Sequence, residues 1–292
     1  MNKIENDRKK GRLSSFLFYL FPFLCLAVLA VSLWFFVPEY LEYKAAKESY
    51  ARVQEQAIHV TGQETVAKAE KPVTAVQAPA AVQEETQEPA EETITYPGLD
   101  IGFDELAGMN EDFIGVIYMP VLEMLYPVVH SKDNEDYLHT TFMGEYNFSG
   151  CIFMDCLANR DLTDRNTLIF GHNMKNGTMF GSLKKFSADP ELCPKDPYFY
   201  IYTPGKVYKY RIFAYNQLSV RDSMYATDAF YETDEEYDRF VEECRERSQY
   251  HPADLEVDFG ERPPIVTLST CWGTEHTYYF IVQGALIGTA EL

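Results

Sequence analysis

Cys271 and His172 are the two residues whose types and settings could do chemistry together. Cys271 ends the run TLSTC and a glycine follows two residues on, so its sulfur belongs at the rim of a sheet, where a substrate can reach it. A free thiol is only a few per cent ionised at neutral pH, so covalent chemistry at sulfur needs a partner that makes or holds the thiolate. His172 closes the run TLIFGH and leads into NMKNGTMFGSL, a loop rich in glycine and asparagine, so it too projects from a strand end. Two strands that each terminate in a reactive group place those groups side by side when both lie in one sheet with their carboxyl ends at the same rim. The chemistry would be nucleophilic, with thiol and imidazole exchanging one proton as a coupled pair.

The other candidates read more plainly. Cys25 lies in a long apolar segment, and Cys151, Cys156, Cys193 and Cys244 read as small apolar core or surface residues. Cys151 and Cys156 are too close along one strand to pair easily. His59 falls in a polar tether, and His130, His139 and His251 flank polar or turn sequence as surface residues. No C-x-x-C, His/Cys zinc spacing or D-x-D-x-D-G calcium loop occurs, so neither a metal nor a cofactor is expected.

Eight short apolar runs must position the pair: residues 113–121, 125–131, 151–155, 167–172, 198–203, 207–215, 265–271 and 278–287. They are rich in Val, Ile, Phe, Tyr and Thr, have strand length and are spaced as in a barrel or sandwich. VYKYRIF alternates, with Lys209 and Arg211 facing one way and Tyr208, Tyr210 and Ile212 the other. Two helices interrupt the strands. Residues 104–113 open the domain, and residues 233–250 carry Thr233 as N-cap, acids in the first turn and arginines in the last. Tyr237, Phe240, Val241 and Cys244 give that second helix one face to bury.

Residues 13–37 carry no charge, enough as a helix to cross a hydrocarbon core of roughly 30 Å. The apolar run continues through Leu33, Trp34, Phe35 and Phe36 past the nearest small-x-small pattern, which favours an uncleaved anchor over a signal peptide. A basic tail at 1–12 precedes it, so the N-terminus is expected in the cytoplasm and residues 38–292 outside. Residues 38–97 read as an extracellular tether, partly disordered, in which 44–57 could extend the membrane helix and the part with Pro72, Pro79 and Pro89 is extended coil. Residues 98–292 then form one domain. The net charge of −20 leaves no basic face for phosphates, so nucleic acid is not an expected partner.

The segments TLSTC and NTLIFGHNMKNGTMF, with NEDFIGVIYMP, YPVVHSKDNEDYLHTTF, GCIFMD and FIVQGALI, resemble the class B sortases, membrane-anchored cysteine transpeptidases of Gram-positive cell surfaces. The resemblance runs from about 105 to 288. It implies a mostly β fold: an eight-stranded sortase-type barrel with an N-terminal helix and a helix between strands six and seven, behind a single N-terminal transmembrane helix. It implies Cys271 as nucleophile and His172 as general acid/base, with Asn134, Leu138, Ser269 and Thr270 lining the substrate groove. The implied partners are surface proteins carrying a sorting signal cleaved after threonine, an amine of a cell-wall precursor or a pilin, and membrane lipid through residues 13–37. The family pattern also implies an arginine at the start of the last strand, donating to the substrate carbonyl and the oxyanion. Tyr279 stands there. Either the Tyr279 hydroxyl donates instead, or His276 from the preceding loop swings in as a cation, or the chain is a weakly active or inactive sortase-fold scaffold. A membrane-tethered cysteine protease would share the acyl-enzyme and differ in using water to resolve it.

Overall fold

A computed structural model of the chain describes residues 2–69, 93–222, 231, 233–272 and 277–292, with side chains described throughout except at 2–20, 271 and 272. The coil expected around Pro72, Pro79 and Pro89 and the loop with His276 lie outside the described residues. The chain falls into two compact units, Met1–Glu48 and Ser49–Leu292, and a single helix, α1 (Asn2–Ala57), contributes to both.

In the first unit α1 is apolar and largely exposed from Phe21 to Val37. From Phe21 on it is long and apolar enough to cross a membrane, and large side chains such as Phe23, Leu26, Leu29, Trp34 and Phe36 stand more than half exposed. A helix apolar on all sides has no water-facing stripe, which suits lipid as its solvent.

The second unit is a closed barrel of eight strands in the order β10-β8-β7-β3-β4-β5-β6-β9. These are β3 (Phe113–Met119), β4 (Met124–Val129), β5 (Ile152–Met154), β6 (Asn166–Phe170), β7 (Tyr198–Thr203), β8 (Lys206–Ser219), β9 (Ile265–Trp272) and β10 (Tyr278–Glu291). All eight runs expected from the sequence are present, and closure leaves no open edge to aggregate. Six of the eight pairings are antiparallel; β4 with β5 and β6 with β9 are parallel. The alternation in β8 also holds, since Lys209 and Arg211 both lie over the Tyr198 ring, at 4.3 and 5.5 Å.

Short helices cover the strands. The expected helix at 104–113 is shorter, α2 (Phe103–Met109), because Phe113 is already the first residue of β3. Helices α3 (Lys185–Ala188) and α4 (Leu192–Lys195) precede β7. Between the sixth and seventh barrel strands, α5 (Asp234–Glu246) starts at a capping box made by Thr233 and Glu236. It buries Tyr237, Phe240, Val241 and Cys244 against Phe213, Ile265 and Ala285 of the barrel.

The tether is where sequence and structure part. A plain spacer was expected up to residue 97 and a domain start at 98; instead the barrel unit begins at Ser49. The last turns of α1 bury Tyr50 and Val53, and the two-stranded sheet of β1 (Ile58–Lys68) and β2 (Thr93–Ile101) buries Ile58, Ile94 and Tyr96. The Tyr202 hydroxyl donates to Pro97 O at 2.6 Å and Lys209 Nζ to Thr95 O at 3.1 Å, tying β2 to β7 and β8. A composition average over this stretch is polar, yet Tyr50, Val53, Ile58, Ile94 and Tyr96 are buried, while Val60 and Val66 stay exposed.

Candidate active site

The parallel pairing of β6 and β9 decides the site. Their register runs from Asn166 opposite Ile265 to Phe170 opposite Ser269, and Gly171 N continues it by donating to Ser269 O at 3.2 Å. His172 and Cys271 are therefore each two residues beyond the same register pair, leaving the barrel at one rim. Across the other edge of β9, Cys271 is the register partner of Tyr279 in β10. Gly171 must be glycine here, because a Cβ would run into Ile152 Cδ1 at 2.5 Å and the Phe180 ring at 2.8 Å.

A cavity of about 220 Å³ opens at this rim, lined by Asn134, Leu138, Phe153, Phe170, Gly171, His172, Ser269, Thr270 and Tyr279. Six residues singled out from the sequence, Asn134, Leu138, His172, Ser269, Thr270 and Tyr279, are thus brought to one space by four different stretches of chain. Cys271 adjoins it by position in β9. Its side chain and all of His276 lie outside the description. The walls supplied by Phe153 and Phe170 were missed at the sequence level, where they read as ordinary strand aromatics.

His172 is half-buried and oriented. Its Nε2 lies 2.7 Å from Leu138 O; a carbonyl can only accept, so Nε2 carries the hydrogen and proton exchange with a reacting group falls to Nδ1. The His139 ring stacks on the His172 ring at 5.8 Å and 17°, and the Tyr146 ring lies tilted against His139 at 6.0 Å. His139 was expected to be a plain surface residue. It is exposed, but the signal that would have distinguished it, its adjacency to Leu138 in the same turn, acts only once the fold brings that turn to His172. His130, also expected on the surface, is half-buried, whereas His251 is exposed as expected.

Asn134 is locked as well. Its Oδ1 accepts from Cys156 N at 2.8 Å, its Nδ2 donates to Asp155 Oδ2 at 3.2 Å, and Asp155 Oδ1 accepts from Leu157 N at 2.9 Å. The backbone N–H fixes which end of the amide is oxygen, and Nδ2 keeps a second hydrogen that neither bond uses.

The other cysteines are poor nucleophiles. Burial pushes the thiols of Cys151 and Cys193 up to about 12, and burial also raises Cys244. Cys156, near the rim, is raised by desolvation and then by the carboxylates of Asp155 and Asp133. All four stay protonated at neutral pH, so a thiolate in this unit is left to Cys271. Among the described residues no group of three or more His, Cys, Asp or Glu is placed to hold a metal ion.

The chain is similar to known proteins in both sequence and fold. The family model for the sortase domain matches residues 117–287. Sortase B of Listeria monocytogenes is 33% identical over 186 residues, covering 63% of this chain and 73% of that protein. Sortase B of Staphylococcus aureus is 30% identical over 169 residues, covering 58% and 67%. Among solved structures, Clostridium perfringens sortase B superposes with a TM-score of 0.58 at 29% identity, over 63% of this chain and 98% of that one. Bacillus anthracis sortase B in complex with AAEK1 gives 0.63 at 25% identity, over 85% and 99%.

Proposed function

Because the chain belongs to the sortase family, with class B sortases as its relatives, we propose that it is a membrane-anchored cysteine transpeptidase. In this reading it cleaves a sorting signal after threonine and passes the acyl group to an amine of a cell-wall precursor or pilin. The Cys271 thiolate attacks the threonine carbonyl carbon, and the resulting oxyanion collapses to a thioester as the peptide C–N bond breaks. His172 gives its proton to the departing amine. The incoming amine then attacks the thioester carbonyl, loses a proton to His172 and releases the Cys271 thiolate. Asn134, Leu138, Ser269 and Thr270 hold the signal, and Tyr279 donates where the family pattern has arginine. Residues 13–37 cross the bilayer, with residues 1–12 in the cytoplasm and the barrel outside.

The observation that carries this reading is the cavity shared by His172, Tyr279 and the end of β9. The test is a mass-spectrometric incubation of the full chain with Pro-x-Thr peptides and a small amine. A thioester adduct on Cys271 and an amine-linked product are expected, both absent from Cys271→Ala. A second reading, a sortase-fold scaffold that binds without turnover, is favoured by Tyr279 alone. It predicts peptide binding with no adduct, indifferent to Cys271→Ala.

A further inference from the structure

We propose that Tyr50, at the end of the helix that emerges from the apolar segment, is a positioning residue for His172, an inference that rests on the catalytic reading of that histidine. Tyr50 is buried, and its hydroxyl donates to Gly150 O at 2.6 Å. Gly150 has a left-handed φ of 56°, and a Cβ there would strike the carbonyl oxygens of Tyr137 and Leu138. The backbone at 150 is thus pressed against the carbonyl that accepts from His172 Nε2. Cys151 N donates to Tyr137 O, and Asn147 N donates to His139 O, so the stretch 147–151 clasps the whole turn 137–139. Tyr50 holds that clasp from outside.

The same side chain reaches the loop on the other side of His172. The Tyr50 ring meets the Tyr126 ring edge-on at 5.4 Å, and the Tyr126 hydroxyl accepts from Met179 N at 2.9 Å. Met179 closes the loop that begins at His172 and sits at a φ of 52°, a strained value for a methionine that needs such a fixing bond. Gln54, one turn along α1, donates to Leu125 O at 2.7 Å, docking the helix on β4. The end of α1 therefore does two separable things: Gln54 fastens it to β4, and Tyr50 braces the turn that orients the imidazole.

The test uses the full chain in detergent micelles, comparing Tyr50→Phe with Gln54→Leu. Tyr50→Phe keeps the ring contact and removes the hydroxyl, and with it the bond to Gly150 and the contacts with the Cys151 thiol and the Phe142 backbone. It is expected to shift the ¹⁵N ring signals of His172 toward mixed tautomers and to lower kcat about 3- to 10-fold with little change in KM, since small misplacements of a catalytic group are costly. Gln54→Leu is expected to lower the melting midpoint and leave the His172 signals in place. The proposal is overturned if Tyr50→Phe leaves those signals unmoved, or moves them no more than Gln54→Leu does. Should the natural chain turn over no sorting peptide, the function reading falls, and the ring-signal comparison still decides the role of Tyr50.

Discussion

The imidazole of His139 lies nearly parallel to that of His172, 5.8 Å between centroids and 17° between planes, and Leu138 O accepts a hydrogen bond from His172 Nε2. One turn thus fixes both the plane and the tautomer of the candidate acid/base. Ring pairs of this kind are worth about 0.5–1.5 kcal/mol, enough to change the population of one rotamer by roughly 2- to 10-fold. His139→Ala should lower kcat by about that factor while His139→Phe, which keeps a flat ring, should retain most of it. Steady-state kinetics on both variants decide the matter, and equal losses would show that the stack is incidental.

The lock on Asn134 predicts a different signature. Removing the Asp155 carboxylate frees the amide to rotate about its remaining bond to Cys156 N. A charge-assisted hydrogen bond is stronger than a neutral one, and losing orientation of one substrate donor should raise KM for the sorting peptide about 3- to 10-fold. Asp155→Ala should do this with kcat nearly unchanged, because in the proposed function Asn134 holds the peptide and takes no part in the proton transfer. A fall in kcat at constant KM would place Asp155 elsewhere in the chemistry.

How much of this was legible beforehand follows from the range over which each signal acts. All eight barrel strands and the capped helix α5 could be read because alternation and Thr233 capping are local, and the family resemblance supplied their closure into a barrel. Six of the cavity residues carried recognisable motifs. Asp155, His139 and Tyr50 carried none: an acid after a strand, a histidine in a polar turn and a tyrosine in an alanine-rich helix look ordinary until sequence separations of 21, 33 and 100 residues are closed by the fold. The misreading of the tether has the same origin. Few apolar residues suffice to dock a segment when a preformed surface receives them, and composition alone does not register that surface.

Acid should loosen the cover formed by α5. Arg262 donates to both Asp238 oxygens, Nε at 2.9 Å and Nη2 at 2.8 Å, and those bonds hold the Asp238 carboxyl below its ordinary value of 3.8. A carboxyl depressed in the folded state contributes stability above its unfolded pKa, and loses it as pH falls through the folded one. The pair is exposed to solvent, so the effect is small and salt-sensitive. Melting midpoints of the natural chain and Asp238→Asn should differ at about pH 6, and the gap should narrow as pH falls below the ordinary carboxyl value of 3.8. A constant gap across that range would assign the effect to packing.

Tyr279 offers the sharpest test of the site's electrostatics. It is the register partner of Cys271 across β9 and β10 and lines the cavity, so a cation at 279 would stand directly opposite the candidate nucleophile. A tyrosine hydroxyl can donate a hydrogen bond to a developing oxyanion but brings no positive charge to stabilise a thiolate. Tyr279→Arg should therefore lower the pH midpoint of Cys271 alkylation, on the order of 1 unit for an opposite charge at close range. If Tyr279 donates in the natural chain, Tyr279→Phe should cut turnover by about 100-fold, the scale on which single oxyanion donors act. Identical alkylation midpoints for the natural and arginine chains would mean that position 279 does not face the sulfur. Unimpaired turnover in the phenylalanine chain would move the oxyanion donor to another residue of the rim.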